Sequence, residues 1–82
     1  MLIKIFVSDN CPNCPQSKEL GRELIAKGLN VEFHNVKTPD GLAESLMFDI
    51  MGTPSTVIIK NSKVLESFPA KTPKIEEVMK WL

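Results

Sequence analysis

The sequence predicts an α/β fold in which one mixed four-stranded sheet carries helices on both faces, in the order β-α-β-α-β-β-α. Three observations predict it. The opening run "LIKIFV", residues 2–7, is short, apolar and rich in branched residues, as in a strand buried on both faces. Apolar residues then recur at helical spacing in three separate stretches, with strand-like runs between them. Near the end, "STVIIK" and "KVLESF" are separated only by Asn61 and Ser62, the mark of a tight antiparallel hairpin.

The elements follow in order. After the first strand, residues 16–27 are helical in pattern. Leu20 and Leu24 share a face with Ile25 beside them, and Gly28 stands where a C-cap glycine belongs. "NVEFHNV" alternates and places Val31 and Phe33 on one side of a second strand. Asp40 is the expected N-cap of the next helix. Its apolar stripe is Ala43, Leu46, Met47 and Ile50, and Gly52 closes it. Met47 and Met51 are expected in the core as packing residues. The hairpin follows, and Thr72 then caps a last helix with Pro73 in its first position. The stripe of that helix is Ile75, Val78, Met79 and Leu82, and Trp81 lies off it as a partly exposed edge residue. The first β-α-β unit requires a crossover, so its two strands are parallel.

Composition excludes several function classes. Ten basic residues balance ten acidic ones, so no net field favours nucleic acid or an anionic membrane. No apolar run approaches the ~20 residues that span a bilayer. The apolar start is too short for a signal peptide and lacks a cleavage site. A single cytoplasmic domain, residues 1–82, acting as a monomer is the expectation.

The chain has two cysteines, Cys11 and Cys14, separated by Pro12 and Asn13. Three chemistries use such a pair. A structural zinc site needs four ligands, and the one histidine, His34, is expected as a solvated strand residue, so no metal site is expected within one chain. Two chains together supply four thiols, and small metal-transfer proteins also use CxxC. A permanent staple contributes only about 2 kcal/mol for so short a loop and is unusual in a reducing compartment. A reversible redox couple needs two sulfurs held close in both oxidation states, which this spacing gives. The position between a strand end and a helix start also favours thiolate, the reactive form. Cys11 is then the exposed nucleophile and Cys14 the buried resolving thiol, with Pro12 and Asn13 shaping the loop. Pro15 leaves open whether the helix begins there or has a distorted first turn.

Two motifs resemble the thioredoxin/glutaredoxin superfamily. "FVSDNCPNC" is a strand leading into CxxC, and its CPxC form is similar to that of glutaredoxins. "IMGTPSTVIIKNSKVLE", residues 50–66, resembles the thioredoxin segment in which Gly-x-Pro leads into a hairpin strand. The likeness covers essentially the whole chain and is closest to small glutaredoxin-sized, thioredoxin-acting proteins, some of them archaeal. It implies a thioredoxin-like fold, a cis Pro54 packed near Cys11, and a Thr53 backbone that pairs with a substrate strand. The implied function is a thiol–disulfide oxidoreductase that reduces protein disulfides through Cys11 and Cys14, without a cofactor. The implied partners are disulfide-containing proteins and an electron donor, either a thioredoxin reductase-like enzyme or glutathione. The chain departs from the family pattern at Asn10, where thioredoxins carry Trp, and at Ile5, where they carry a buried acid. It also has Ser8 where glutaredoxins carry Lys, and "SFPAKTPK" in place of their Gly-Gly glutathione motif. A glutathione-dependent glutaredoxin and a non-catalytic binding module are the remaining readings from the same motifs.

Overall fold

A computed structural model describes residues 1–81. The elements are β1 (Leu2–Val7), α1 (Cys14–Ala26), β2 (Asn30–Asn35), α2 (Pro39–Met47), β3 (Ser55–Lys60), β4 (Lys63–Phe68) and α3 (Ile75–Met79). The sheet order is β2-β1-β3-β4. β1 pairs parallel with β2, in register from Leu2 opposite Asn30 to Val7 opposite Asn35, and antiparallel with β3. β3 and β4 form the hairpin, with an irregularity between Ile58 and Ile59. Asn61 and Ser62 turn it with φ of 52° and 65°, the paired left-handed conformations that match the twist of a two-residue hairpin.

Alternation along the central strands builds two cores. Ile3, Ile5 and Val7 of β1 and Ile58 of β3 point to one face, where they meet Leu20 and Leu24 of α1 and Val78 of α3. Phe6, Val57 and Ile59 point to the other, where Val36, Phe48 and Ile50 cover them. Each fully buried Ile, Leu or Phe contributes about 1.5–3 kcal/mol relative to its exposed state, so this alternation fixes the register.

The helices differ in detail from the expectations. α1 begins at Cys14, with Asn13 as its N-cap, and ends in Lys27 before Gly28 at φ +86°. Pro15 is thus in the first turn, where its missing N–H costs nothing, and the turn is regular. Ile25 turns outward and is 49% exposed. α2 is capped by Thr38, whose hydroxyl accepts from the Gly41 N–H at 3.0 Å, while Asp40 lies in the first turn. Its expected stripe is inverted. The buried positions are Gly41 and Ser45, whereas Leu46 is 68% exposed, Met47 72% and Met51 94%. Close approach decides this: a Cβ at Gly41 would run into the Asn35 backbone carbonyl, so only the small-residue face can lie against β2. α2 ends at Met47 rather than at Gly52, and Asp49 turns the chain at φ 55°. α3 is a short helix whose N-cap is Lys74. The Thr72 hydroxyl instead pairs with Ser17 Oγ at 2.5 Å, tying the final segment to α1. Ile75, Val78 and Met79 pack inward and Trp81 is half-buried beside them, while Leu82 lies outside the described residues.

Candidate active site

Cys11 and Cys14 are joined in a disulfide with Cα atoms 5.3 Å apart, a usual separation. The reason lies in local backbone. The Cys14 N–H donates to the Cys11 carbonyl at 3.3 Å, so the loop is a turn feeding directly into α1. Cys11 is half-buried at the rim, Pro12 and Asn13 are exposed, and Cys14 is only 2% exposed within the α1-side core. Cys14 opens the helix and Cys11 stands just ahead of it, where unsatisfied N–H groups and the helix dipole favour negative charge.

Two side-chain ties hold this loop. Ser8, the first residue after β1, has its Oγ 3.0 Å from Thr53 Oγ1. Asn35 at the end of β2 donates its Nδ2 to Asp9 Oδ1 at 2.9 Å. The first tie brings the segment leading to Cys11 against Thr53. The Thr53–Pro54 bond is cis, and Pro54 is fully buried. Ser55 then secures the turn from within: its Oγ donates to the Gly52 carbonyl at 2.7 Å and accepts from the Ala70 N–H at 2.9 Å. Ser8 and Ser55 were not legible as site residues. Their only sequence signal is a small hydroxyl flanking each motif.

A groove of about 290 Å³ opens beside Thr53. Val36, Leu42, Ile50 and Met51 line it with Ser8, and Lys37 is its one charged residue. The exposed side chains of α2 continue from Leu42, at 49% exposure, to Leu46 and Met47.

The second cluster lies on the α2 face. His34 is not solvated: its side chain is 18% exposed, and its ring stacks on Phe6 with centroids 5.4 Å apart. Its Nε2 is 2.9 Å from Glu32 Oε1 and 3.8 Å from Glu44 Oε1. These three residues could hold a metal by geometry, since their ligand atoms lie within 4.8 Å of one another. The Lys4 ammonium, however, hydrogen-bonds Glu44 and sits 3.6 Å from Glu32. It already supplies the positive charge that two converging carboxylates require. The Lys4 hydrogen bond is the main cause that holds the Glu44 carboxyl below its ordinary value. Burial opposes the shift, and the charges of Lys4 and His34 add to it.

A family model described as a thioredoxin domain matches residues 1–82. The chain belongs to the thioredoxin family. A curated relative, a probable thioredoxin from Archaeoglobus fulgidus, is 39% identical over 67 residues, covering 79% of this chain and 70% of that protein. Among solved structures, thioredoxin 1 from Thermosipho africanus superposes with a TM-score of 0.78 at 18% identity, covering 98% of this chain and 88% of the other. A thioredoxin from Thermus thermophilus gives 0.68 at 23% identity, with 98% and 68% covered. At such identities the structural likenesses establish the thioredoxin fold alone. Family membership together with the adjacent Cys11–Cys14 pair makes the chain a thioredoxin-like thiol–disulfide oxidoreductase.

Proposed function

We propose that this thioredoxin-family protein reduces disulfides in other proteins by dithiol exchange through Cys11 and Cys14. The observation that carries the reading is the asymmetry of the pair: Cys11 at the rim, Cys14 2% exposed. In the reduced protein the Cys11 thiolate attacks a substrate disulfide. A mixed disulfide forms and one substrate sulfur leaves as thiolate. Cys14 then attacks the Cys11 sulfur, the intramolecular disulfide closes, and the second substrate sulfur departs. The two electrons lost by the cysteines are those gained by the substrate.

The groove supports a polypeptide substrate. Its walls are mainly apolar, and Thr53, one of its lining residues, precedes β3; on this reading the Thr53 backbone pairs with an extended substrate strand. The exposed Met47, at the end of α2, and Met51 beyond it suit varied partners, because an unbranched thioether side chain adapts to different surfaces. A reductase enzyme supplies the electrons, and the setting is cytoplasmic.

Two variants test the reading. Cys14→Ser should trap a covalent adduct with substrate proteins from cell extract, released by dithiothreitol, and Cys11→Ser should trap little. The readout is non-reducing electrophoresis with mass spectrometry of any adduct. Equal trapping by both variants, or by neither alongside tight zinc or copper(I) binding by the wild type, would point to a metal carrier instead.

A further inference from the structure

Four polar side chains line the groove beside Thr53: Ser8, Lys37, Ser45 and Thr53 itself. Their donors are not alike. Lys37 is exposed. Ser45 is buried, and its hydroxyl proton goes to the Leu42 carbonyl at 2.7 Å. Ser8 and Thr53, both half-buried, face each other with their side-chain oxygens 3.0 Å apart. Two hydroxyls carry two protons, and one hydrogen bond between them uses one. Whichever oxygen donates, the proton of the other is left over. Among the described residues neither oxygen has a second partner. The pair therefore stands in the groove wall with one donor unspent, and the bond between the two oxygens limits where that donor can point.

A polypeptide segment entering this groove brings the opposite need. The side chains of Val36, Leu42, Ile50 and Met51 give it apolar contact but no hydrogen bond. Every residue of the segment carries a carbonyl that leaves water on the way in, and an acceptor enclosed without a partner is costly. A carboxylate would be matched by the Lys37 ammonium. A neutral carbonyl is the acceptor that a neutral, half-buried hydroxyl fits.

We propose that the Ser8–Thr53 pair is a substrate-binding element whose unspent proton is donated to a main-chain carbonyl of the segment seated in the groove. The proposal rests on the reductase reading and adds a specificity contact to it. Ser8 leads into the cysteine loop and Thr53 into the Pro54 turn, so a carbonyl bound at the pair is fixed relative to both. A plain staple between the two loops would use the same bond. The two roles part on substitution. A staple needs both oxygens, so Ser8→Ala, Thr53→Val and the double variant lose it equally. A donor needs one oxygen, so each single variant keeps a hydroxyl in the wall and the double variant has none.

The test compares reduced wild type with those three variants. The probe is a synthetic peptide closed by one disulfide, with apolar residues on both sides of it, supplied in excess over a range of concentrations. Acid-quenched samples give the half-saturating concentration and the maximal rate of its reduction. Hydroxyethyl disulfide, neutral and without a main-chain carbonyl, is the small control. The half-saturating peptide concentration should stay within about twofold of wild type in each single variant and rise about fivefold in the double one. The maximal rate and the rate with hydroxyethyl disulfide should be the same in every form. Ser8→Ala/Thr53→Ser, which restores one hydroxyl, should bind the peptide as the single variants do. An equal rise in all three variants overturns the proposal and leaves a staple. No rise in the double variant also overturns it, as does equal slowing with hydroxyethyl disulfide. If wild type reduces hydroxyethyl disulfide but no peptide, the reductase reading fails and the proposal falls with it.

Discussion

Replacing Lys4 by Met should destabilise the protein by about 2 kcal/mol at neutral pH. The Lys4 side chain is 13% exposed and that of Glu44 22%, so this pair is more enclosed than an ordinary surface pair. Met keeps most of the stem and its packing near Phe48 but removes the ammonium. Glu44 then loses its charge-assisted partner, and Glu32 loses a counter-ion 3.6 Å away. Hydrogen bonds to charged groups contribute about 1.5–3 kcal/mol, and residual water access to Glu44 places the loss in the lower part of that range. For a domain of this size the melting temperature should fall by roughly 8–16 °C. The pH dependence identifies the cause. Glu44 has a lowered value in the folded state, so its stabilising contribution is complete above its ordinary 4.5 and fades as pH falls through the lowered folded value. Lys4→Met has no such contribution to lose, so the gap between the two proteins should narrow below about pH 4.5. Urea unfolding from pH 7 down to pH 3 measures both effects. Equal stability at pH 7, or a gap that persists undiminished at pH 3, would refute the assignment to this ion pair.

In the reduced protein, Cys11 should alkylate well before Cys14, which peptide mapping after brief iodoacetamide treatment reads directly; preferential labelling of Cys14 would reverse the roles. Met51→Lys should raise KM for a protein disulfide several-fold while leaving the reaction with Ellman's reagent unchanged, because it alters the groove wall but not the sulfurs. Leu46→Gln and Met47→Gln should each change unfolding free energy by less than about 0.5 kcal/mol, as exposed positions do, whereas Leu24→Ala should cost about 2–5 kcal/mol. Chemical denaturation of the three variants separates the inverted α2 from one with its stripe in the core.

The element order was legible because it depends on period and punctuation, which are local. Branched apolar runs marked β1 and β3, and Asn61-Ser62 marked the hairpin turn. The orientation of α2 was not legible. Periodicity says which residues share a face, but not which face meets the sheet. That choice was made by Gly41 against the Asn35 carbonyl, a contact set by tertiary approach. The caps show the same limit. Thr38-Pro39 and Thr72-Pro73 are alike in sequence, yet the first caps α2 while the second gives its hydroxyl to Ser17. His34 appeared solvated because its enclosure needs the register of β1 on β2 and the arrival of α2. At the site, the cysteines announce themselves by spacing, whereas the Thr53-Pro54 step stands out only through the resemblance of residues 50–66 to the thioredoxin segment. Ser8 and Ser55 do not, since a hydroxyl acquires its role only from what the fold sets opposite it.

The two faces of the sheet divide the work, and β1 is where the division is written. Its odd residues, Ile3, Ile5 and Val7, face the core that encloses Cys14, and its even residues, Lys4 and Phe6, face α2. The sulfur chemistry therefore proceeds beside a largely apolar wall. The charged network that braces α2 lies on the other side of the same strand. A charge moved from one set to the other by a one-residue slip would enter the thiol core, so register protects chemistry as well as stability. The arrangement also separates recognition from reaction. Leu42, Leu46, Met47 and Met51 border the site from the α2 side without entering the core of Cys14. Partner choice can thus change through these residues while the environment of the thiols stays fixed. Substitutions on the outer face of α2 should accordingly change the affinity for a protein disulfide and leave the rate of closure between Cys11 and Cys14 as it is, because α2 and Cys14 lie on opposite faces of the sheet.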